Sequence, residues 1–300
     1  MDHSLPPVTP IASAASLASG ACTFEQLRAA HLPSTPKSEV DTFFALYAQL
    51  SAPFQQLLDA VFAQPGLWSA FARGPSSRAG HHGGAGGNLR HTLEVARISL
   101  LLGSDPAFID LVDRDVQIAA ALLHDVGKAQ EYEAGRYGWR MSAQGRLVGH
   151  KFAGFGLVWN AVHAIPGITD HQRLALLNCL SSSTQGWSSS TRGPASAEAQ
   201  LLHQADQLSA ASDLFRASYA ACRQAPGFGI RHRHQRETPY HVKSCPKPAV
   251  QPALRARPRP AGPVVRVAPA VPAAPAVRAG APSALRPSLQ ERLRAASRHS

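Results

Sequence analysis

The run Ala119-Ala120-Ala121-Leu122-Leu123-His124-Asp125-Val126-Gly127-Lys128 ends an apolar stretch on an imidazole and a carboxylate side by side, then turns at a glycine and presents a cation. Both side-chain types are good ligands for a divalent metal. Neighbouring helical positions point about 100° apart, so the two can share one ion only by splaying around it. Further donors must come from other segments. His91 sits one turn into an apolar helical pattern, and Asp206 sits among Leu201, Leu202, Ala205, Leu208 and Leu214 of another. An ionised carboxylate on an apolar face is costly unless paired or metal-bound. His91, His124 and Asp125 around a cation would give Asp206 that partner. His150 lies in the first turn of a further helix. Taken singly these signals are weak, because a lone histidine on an apolar helix is more often a satisfied core residue.

The elements that must hold these residues read as helices throughout. Ser38-Glu39-Val40-Asp41 opens a helix carrying Phe43, Phe44, Leu46, Tyr47 and Leu50, and Pro53 ends it. A second helix runs from about Phe54 to Phe62 and stops at Pro65-Gly66, with a short piece from Leu67 to Ala72 after it. A glycine-rich loop fills 74–87, and Asn88 is expected to cap a helix from Leu89 to about Leu102. Later helices begin near Asp113 or Asp115, at Gly145 to reach Ala164, at Asp170 to reach Leu180, and at Ala197 to reach about Cys222. No alternating pattern of useful length suggests a strand before the tail. The fold class is all-α, with the helical domain spanning 37–224 and an Ala/Ser/Pro-rich segment 1–36 expected to be disordered.

Of the 300 residues, 30 are Lys or Arg and 19 Asp or Glu, and the excess is not spread evenly. Residues 1–227 hold 16 basic against 17 acidic side chains, whereas 228–300 hold 14 against 2. The tail, 225–300, is rich in Pro, Ala and Arg and cannot build a packed core, so it too is expected to be disordered. Such a tail would attach to RNA, DNA or other polyanions through counterion release, or serve only as a solvated spacer. Four scattered cysteines, Cys22, Cys179, Cys222 and Cys245, form no CxxC pair, which argues for reduced thiols rather than a disulfide framework. No apolar run has transmembrane length. A cytoplasmic location and no membrane partner are expected; the oligomeric state is left open.

The ordered set His91 … His124-Asp125 … Asp206 on an all-helical chain resembles the HD superfamily of metal-dependent phosphohydrolases. The surrounding residues are similar to the catalytic half of the YhaM-like 3′–5′ exoribonucleases: His81-His82 … Gly86-Gly87-Asn88-Leu89-Arg90-His91-Thr92-Leu93-Glu94-Val95, then Leu122-Leu123-His124-Asp125-Val126-Gly127-Lys128, Gly145-Arg146-Leu147-Val148-Gly149-His150, and Glu198 to Asp206. The opening His-His … Gly-Gly-x-Leu-x-His-x-Leu-Glu-Val also resembles HD domains of MobH-type conjugative relaxases. The resemblance covers about residues 40–216 and implies an HD-domain helical bundle. It further implies that His91, His124, Asp125 and Asp206 hold a divalent metal (manganese, magnesium, nickel, iron or cobalt), with His150 serving a second ion. In that reading the metal polarises a phosphoryl oxygen and lowers the pKa of bound water. Asp125 would orient that water or bridge two ions, and Lys128 would meet a substrate phosphate, unless it is only a solvated cation at a helix end.

Departures from those relatives narrow the reading. Their Leu-Ser-His-His-Gly segment corresponds here to Leu180-Ser181-Ser182-Ser183-Thr184, and hydroxyls replace imidazoles poorly as ligands. Their Asp-x-Leu-Asp is Asp206-Gln207-Leu208-Ser209, and the amino-terminal OB-fold is replaced by 1–36. Three functions fit: a hydrolase of a phosphoester such as a nucleotide, a nuclease-like or conjugation-associated protein using the basic tail, and a non-catalytic module with one structural metal. His81 and His82 could approach the site from their loop or lie mobile on the surface; His171 and His203 carry no assigned role and are expected to be partly buried and hydrogen-bonded.

Overall fold

Proline and glycine set the first boundaries of the chain. In the computed structural model, which describes residues 24–28, 32, 35–78, 80–136, 138–182, 192–221, 227–231, 235 and 237–241, α2 runs Lys37–Tyr47, α3 Ala52–Phe62 and α4 Leu67–Arg73. Pro53 does not close α2 from outside but lies in the first turn of α3, where its missing N–H costs nothing. Before them, α1 (Phe24–Arg28) falls inside the segment expected to be disordered. The correction has a physical cause in one side chain. Phe24 is fully buried, stacked on Phe62 at 4.8 Å and edge-on to Trp68 at 5.1 Å. Residues 1–23 and those from 242 onward lie outside the described residues; of the tail 225–300, expected to be disordered, the described part corrects that expectation with a short strand pairing of Gly227–Phe228 with Tyr240–His241.

Helix α5 (Gly87–Gly103) begins two residues earlier than its sequence suggests. Gly86, at φ 73°, is the N-cap, and Asn88 instead turns inward to donate from its side chain to the Phe71 carbonyl. A Cβ on Gly87 would collide with the His82 carbonyl oxygen, so only glycine lets the preceding loop fold back onto the helix start. That loop is built rather than loose: Ser76 N–H donates to His82 O and Gly86 N–H to Arg73 O. His82 itself is at φ 48° and 5 % exposed.

Helix α6 (Arg114–Leu123) is capped by Asp113, which accepts from the Val116 N–H, and buries every residue from Val116 to Leu123. A tight turn leads to α7 (Lys128–Glu131). Next comes an antiparallel hairpin, β1 (Tyr132–Gly135) with β2 (Gly138–Met141), pairing Tyr132 with Met141. The expectation of no strand before the tail is corrected there. The strands are four residues each, too short to register as alternation. The helix expected from Gly145 is divided into α8 (Ala143–Leu147) and α9 (His150–Val162), because Gly149 adopts φ 77° between them. Then follow α10 (Asp170–Ser181), opened by a Thr169–Gln172 capping box, and α11 (Ala197–Ala221). A two-residue pair, β3 (Gly227–Phe228) with β4 (Tyr240–His241), comes last.

The architecture is all-α. Helix α5 lies between α11 and α6, and α10 packs on α6, α9 and α11. Leu208, expected inward, is 51 % exposed, whereas Leu201, Leu202 and Ala205 are buried. No described helix is long and apolar enough to cross a membrane. The chain divides into two units, Met1–Pro248 and Ala249–Ser300, and everything described belongs to the first.

Candidate metal centre

Three helices and one turn deliver one donor group each. His91 comes from the second turn of α5, His124 from the C-cap of α6, Asp125 from the turn after it and Asp206 from α11. His91 Nε2 lies 3.4 Å from His124 Nε2 and 3.4 Å from Asp125 Oδ2, and His124 Nε2 lies 3.3 Å from the same oxygen. Asp206 Oδ1 closes on His91 Nε2 at 3.0 Å. The doublet can splay because Asp125 has already left the helix. Gly127 permits the rest: a Cβ there would strike the His150 carbonyl and the Gly154 nitrogen, so its absence lets α9 dock against the turn.

The donor set fits a divalent cation. Metal–ligand bonds of about 2.0–2.2 Å place neighbouring ligand atoms roughly 3.0–3.5 Å apart between octahedral and tetrahedral limits. The separations above span that interval. The outward nitrogens are also satisfied. His124 Nδ1 donates to the Ala121 carbonyl at 2.9 Å, and His91 Nδ1 donates to Ser209 Oγ at 3.0 Å. With both rings neutral, the inward Nε2 atoms would carry lone pairs that repel at 3.4 Å, so a proton or a cation must stand among them and the carboxylates. His91, His124 and Asp125 group as a candidate ion site on the same grounds.

Electrostatics agree with the geometry. Burial alone would raise the Asp125 pKa, but Lys128 and His124 overcome it and hold the carboxyl well below the usual range. Asp206, 40 % exposed, is brought down to about 2 by the His91 hydrogen bond and the nearby His124, again against burial. Burial would lower His91, but its hydrogen bonds to Asp125 and Asp206 raise it. Lys128 is not a solvated cation. It is 8 % exposed, with Nζ 2.6 Å from Asp125 Oδ2 and donating to Ser76 Oγ at 2.9 Å. It thus neutralises the doublet's carboxylate and ties down the loop before α5.

His150 stands on the other oxygen of Asp125, with Nε2 3.6 Å from Oδ1. Its Nδ1 is 2.9 Å from Glu131 Oε2, an ion-pair distance at an angle short of a hydrogen bond. These groups open on a cavity of about 210 Å³ that also takes in His81, Lys151, Ser182 and His203. His81 is pushed down to about 4 by burial and by His91 and Lys128, so it faces the cavity as a neutral imidazole. Ser182 is 4 % exposed on the cavity wall, and Ser183 lies outside the described residues. His171 is exposed, away from the site.

Several contributors carry no signal in the sequence. Ser209, read there only as a missing acid, both accepts from His91 and donates to Glu94 Oε2 at 3.0 Å. Glu94 is thus a carboxylate one hydroxyl removed from the histidine, and its i, i+3 spacing from His91 was the one available hint. Ser76 and Glu131 give no hint, since tertiary packing alone brings them in. Residues 88–211 match the family model described as HD domain. Comparison with curated proteins and with solved structures gives no match to the chain. The matched segment carries His91, His124, Asp125 and Asp206, and the match supports the HD superfamily.

Proposed function

We propose that this protein is a metal-dependent phosphohydrolase that cleaves a phosphoester of a nucleotide or nucleic acid. The observation that carries this reading is the convergence of two imidazole Nε2 atoms and an Asp125 oxygen within 3.3–3.4 Å, joined by Asp206. A divalent cation held by those groups supplies Lewis acidity toward a phosphoryl oxygen and acidifies water. The chain does the remaining work. Ser209 and the Ala121 carbonyl lock both histidines in the tautomer that points Nε2 inward. Lys128 balances Asp125, so its ammonium is engaged. The substrate phosphate is then met by Lys151, an exposed lysine on the same cavity wall whose hydrogen bond to the Ser182 carbonyl is a long 3.5 Å. His81, kept neutral by burial, and His150 line the path by which a proton reaches the leaving oxygen.

The basic stretch 228–300 favours nucleic acid over a small nucleotide. The test is hydrolysis by the full chain of bis(p-nitrophenyl) phosphate, nucleotides and single-stranded RNA or DNA with added manganese. His124→Ala combined with Asp125→Ala should abolish turnover with the helical spectrum retained. Full activity in that variant would refute the metal reading. Removal of 228–300 should weaken only the polymer substrates and flatten their salt dependence.

A further inference from the structure

On the far side of α5 from the cavity lies a groove of about 570 Å³, walled by α2, α5 and α11 and larger than the candidate site itself. Its volume falls in the range of small-molecule sites. Three guanidinium groups face it. Arg90 and Arg97 stand seven residues apart on α5, hence on one face and about 10 Å apart along the axis. Arg216 of α11 joins them through Glu94, which lies between the two in sequence. Arg90 spends Nε on Glu39 at 2.9 Å and Arg216 spends one nitrogen on Glu94 at 2.8 Å, yet both stay about half exposed, so other N–H groups of each remain open to the groove. Arg97 is exposed and has no ion pair or hydrogen bond among the described residues. The floor between them is apolar, from Leu93 and Leu100.

Planar forks of donors over an apolar floor suit an oxyanion attached to a flat ring. The groove is also wired to the metal centre. Glu94 accepts from Arg216 through Oε1 on the groove side and from Ser209 through Oε2 on the other, and Ser209 in turn accepts from His91 Nδ1. We propose that this groove is a second, regulatory site for a nucleotide, read by the metal centre through the chain Arg216–Glu94–Ser209–His91. An occupant phosphate competes with Glu94 for Arg216. The carboxylate, relieved of that partner, draws harder on the Ser209 hydroxyl, and His91 becomes a stronger ligand. The coupling half of the proposal rests on the metal reading above; the binding half does not.

The experiment uses the full chain and adenosine 5′-monophosphate, which binds metals weakly in solution. Calorimetry in chelator should show binding that Arg97→Gln weakens roughly tenfold or more, the worth of a charge-assisted hydrogen bond. Unchanged affinity in Arg97→Gln overturns the site, as does inorganic phosphate binding as tightly as the nucleotide. Manganese titration should then show tighter metal binding with the nucleotide present, on the order of fivefold. Glu94→Gln should erase that dependence, and Arg216→Gln, on the solvent side of the relay and less prone to disturb folding, should erase it too. A nucleotide effect that survives both substitutions overturns the relay. If wild type takes up no manganese with or without nucleotide, the metal reading fails and the coupling with it, while the calorimetric result still decides the groove.

Discussion

Asp125 is buried with four positively charged or chargeable neighbours, and Lys128 is the closest of them. Removing one partner of a buried pair leaves the other uncompensated, at about 3–5 kcal/mol. Lys128→Met should therefore destabilise the metal-free protein by about that amount, and manganese should restore more stability to the variant than to wild type. Equal metal-induced shifts in thermal unfolding would contradict this. His81 offers a second check. Burial, His91 and Lys128 bring it from the ordinary 6.5 to about 4, so between those values the unfolded chain binds the proton that the native state refuses. Its contribution to stability is whole above pH 6.5 and fades as the pH falls toward 4. Imidazole chemical shifts of the metal-free protein followed by NMR should show one histidine titrating near 4; if every histidine titrates near 6.5, the buried neutral assignment fails.

A five-residue helix cannot persist alone, because nucleation costs more than its few hydrogen bonds return. Helix α1 is held by Phe24 against Phe62, Phe44 and Trp68. Phe24→Ala should release this helix to proteases and fast hydrogen exchange while α2–α11 keep their protection; unaltered exchange in 24–28 would show that other contacts suffice. The same example shows where sequence reading stops. Long helices with a continuous apolar face, such as α6 and α3, announce themselves, and so does the His124-Asp125 doublet at a helix end. Phe24 sits in a stretch of Ala, Ser and Pro whose composition outweighs one aromatic ring. Asn88 offers a good cap, yet the loop's need to fold onto Gly87 moved the cap to Gly86. Ser209 reads as a loss until α5 and α11 lie side by side, when Glu94 appears behind it.

Across the whole chain, the first 227 residues are near-neutral and the remainder strongly basic, so under the proposed function they would divide two tasks, chemistry and attachment to polyanions. Binding that favours the native state stabilises it by about 2.7 kcal/mol at a hundredfold excess over Kd. Chelation of protein isolated without chelator should thus lower the midpoint of thermal unfolding by roughly 5–10 °C, and readdition should restore it; no shift would leave the cluster without its ion. One consequence is topological. An ion shared by His91 and Asp206 closes a loop of more than a hundred residues, taking in every element from α5 to α11. In polymer terms it is a removable cross-link, and a permanent link across such a loop is worth on the order of 4–5 kcal/mol through the entropy it denies the open chain. Metal supply would then set the lifetime of the folded domain as well as its chemistry, so that starvation for the ion silences the protein and exposes it to degradation in a single event.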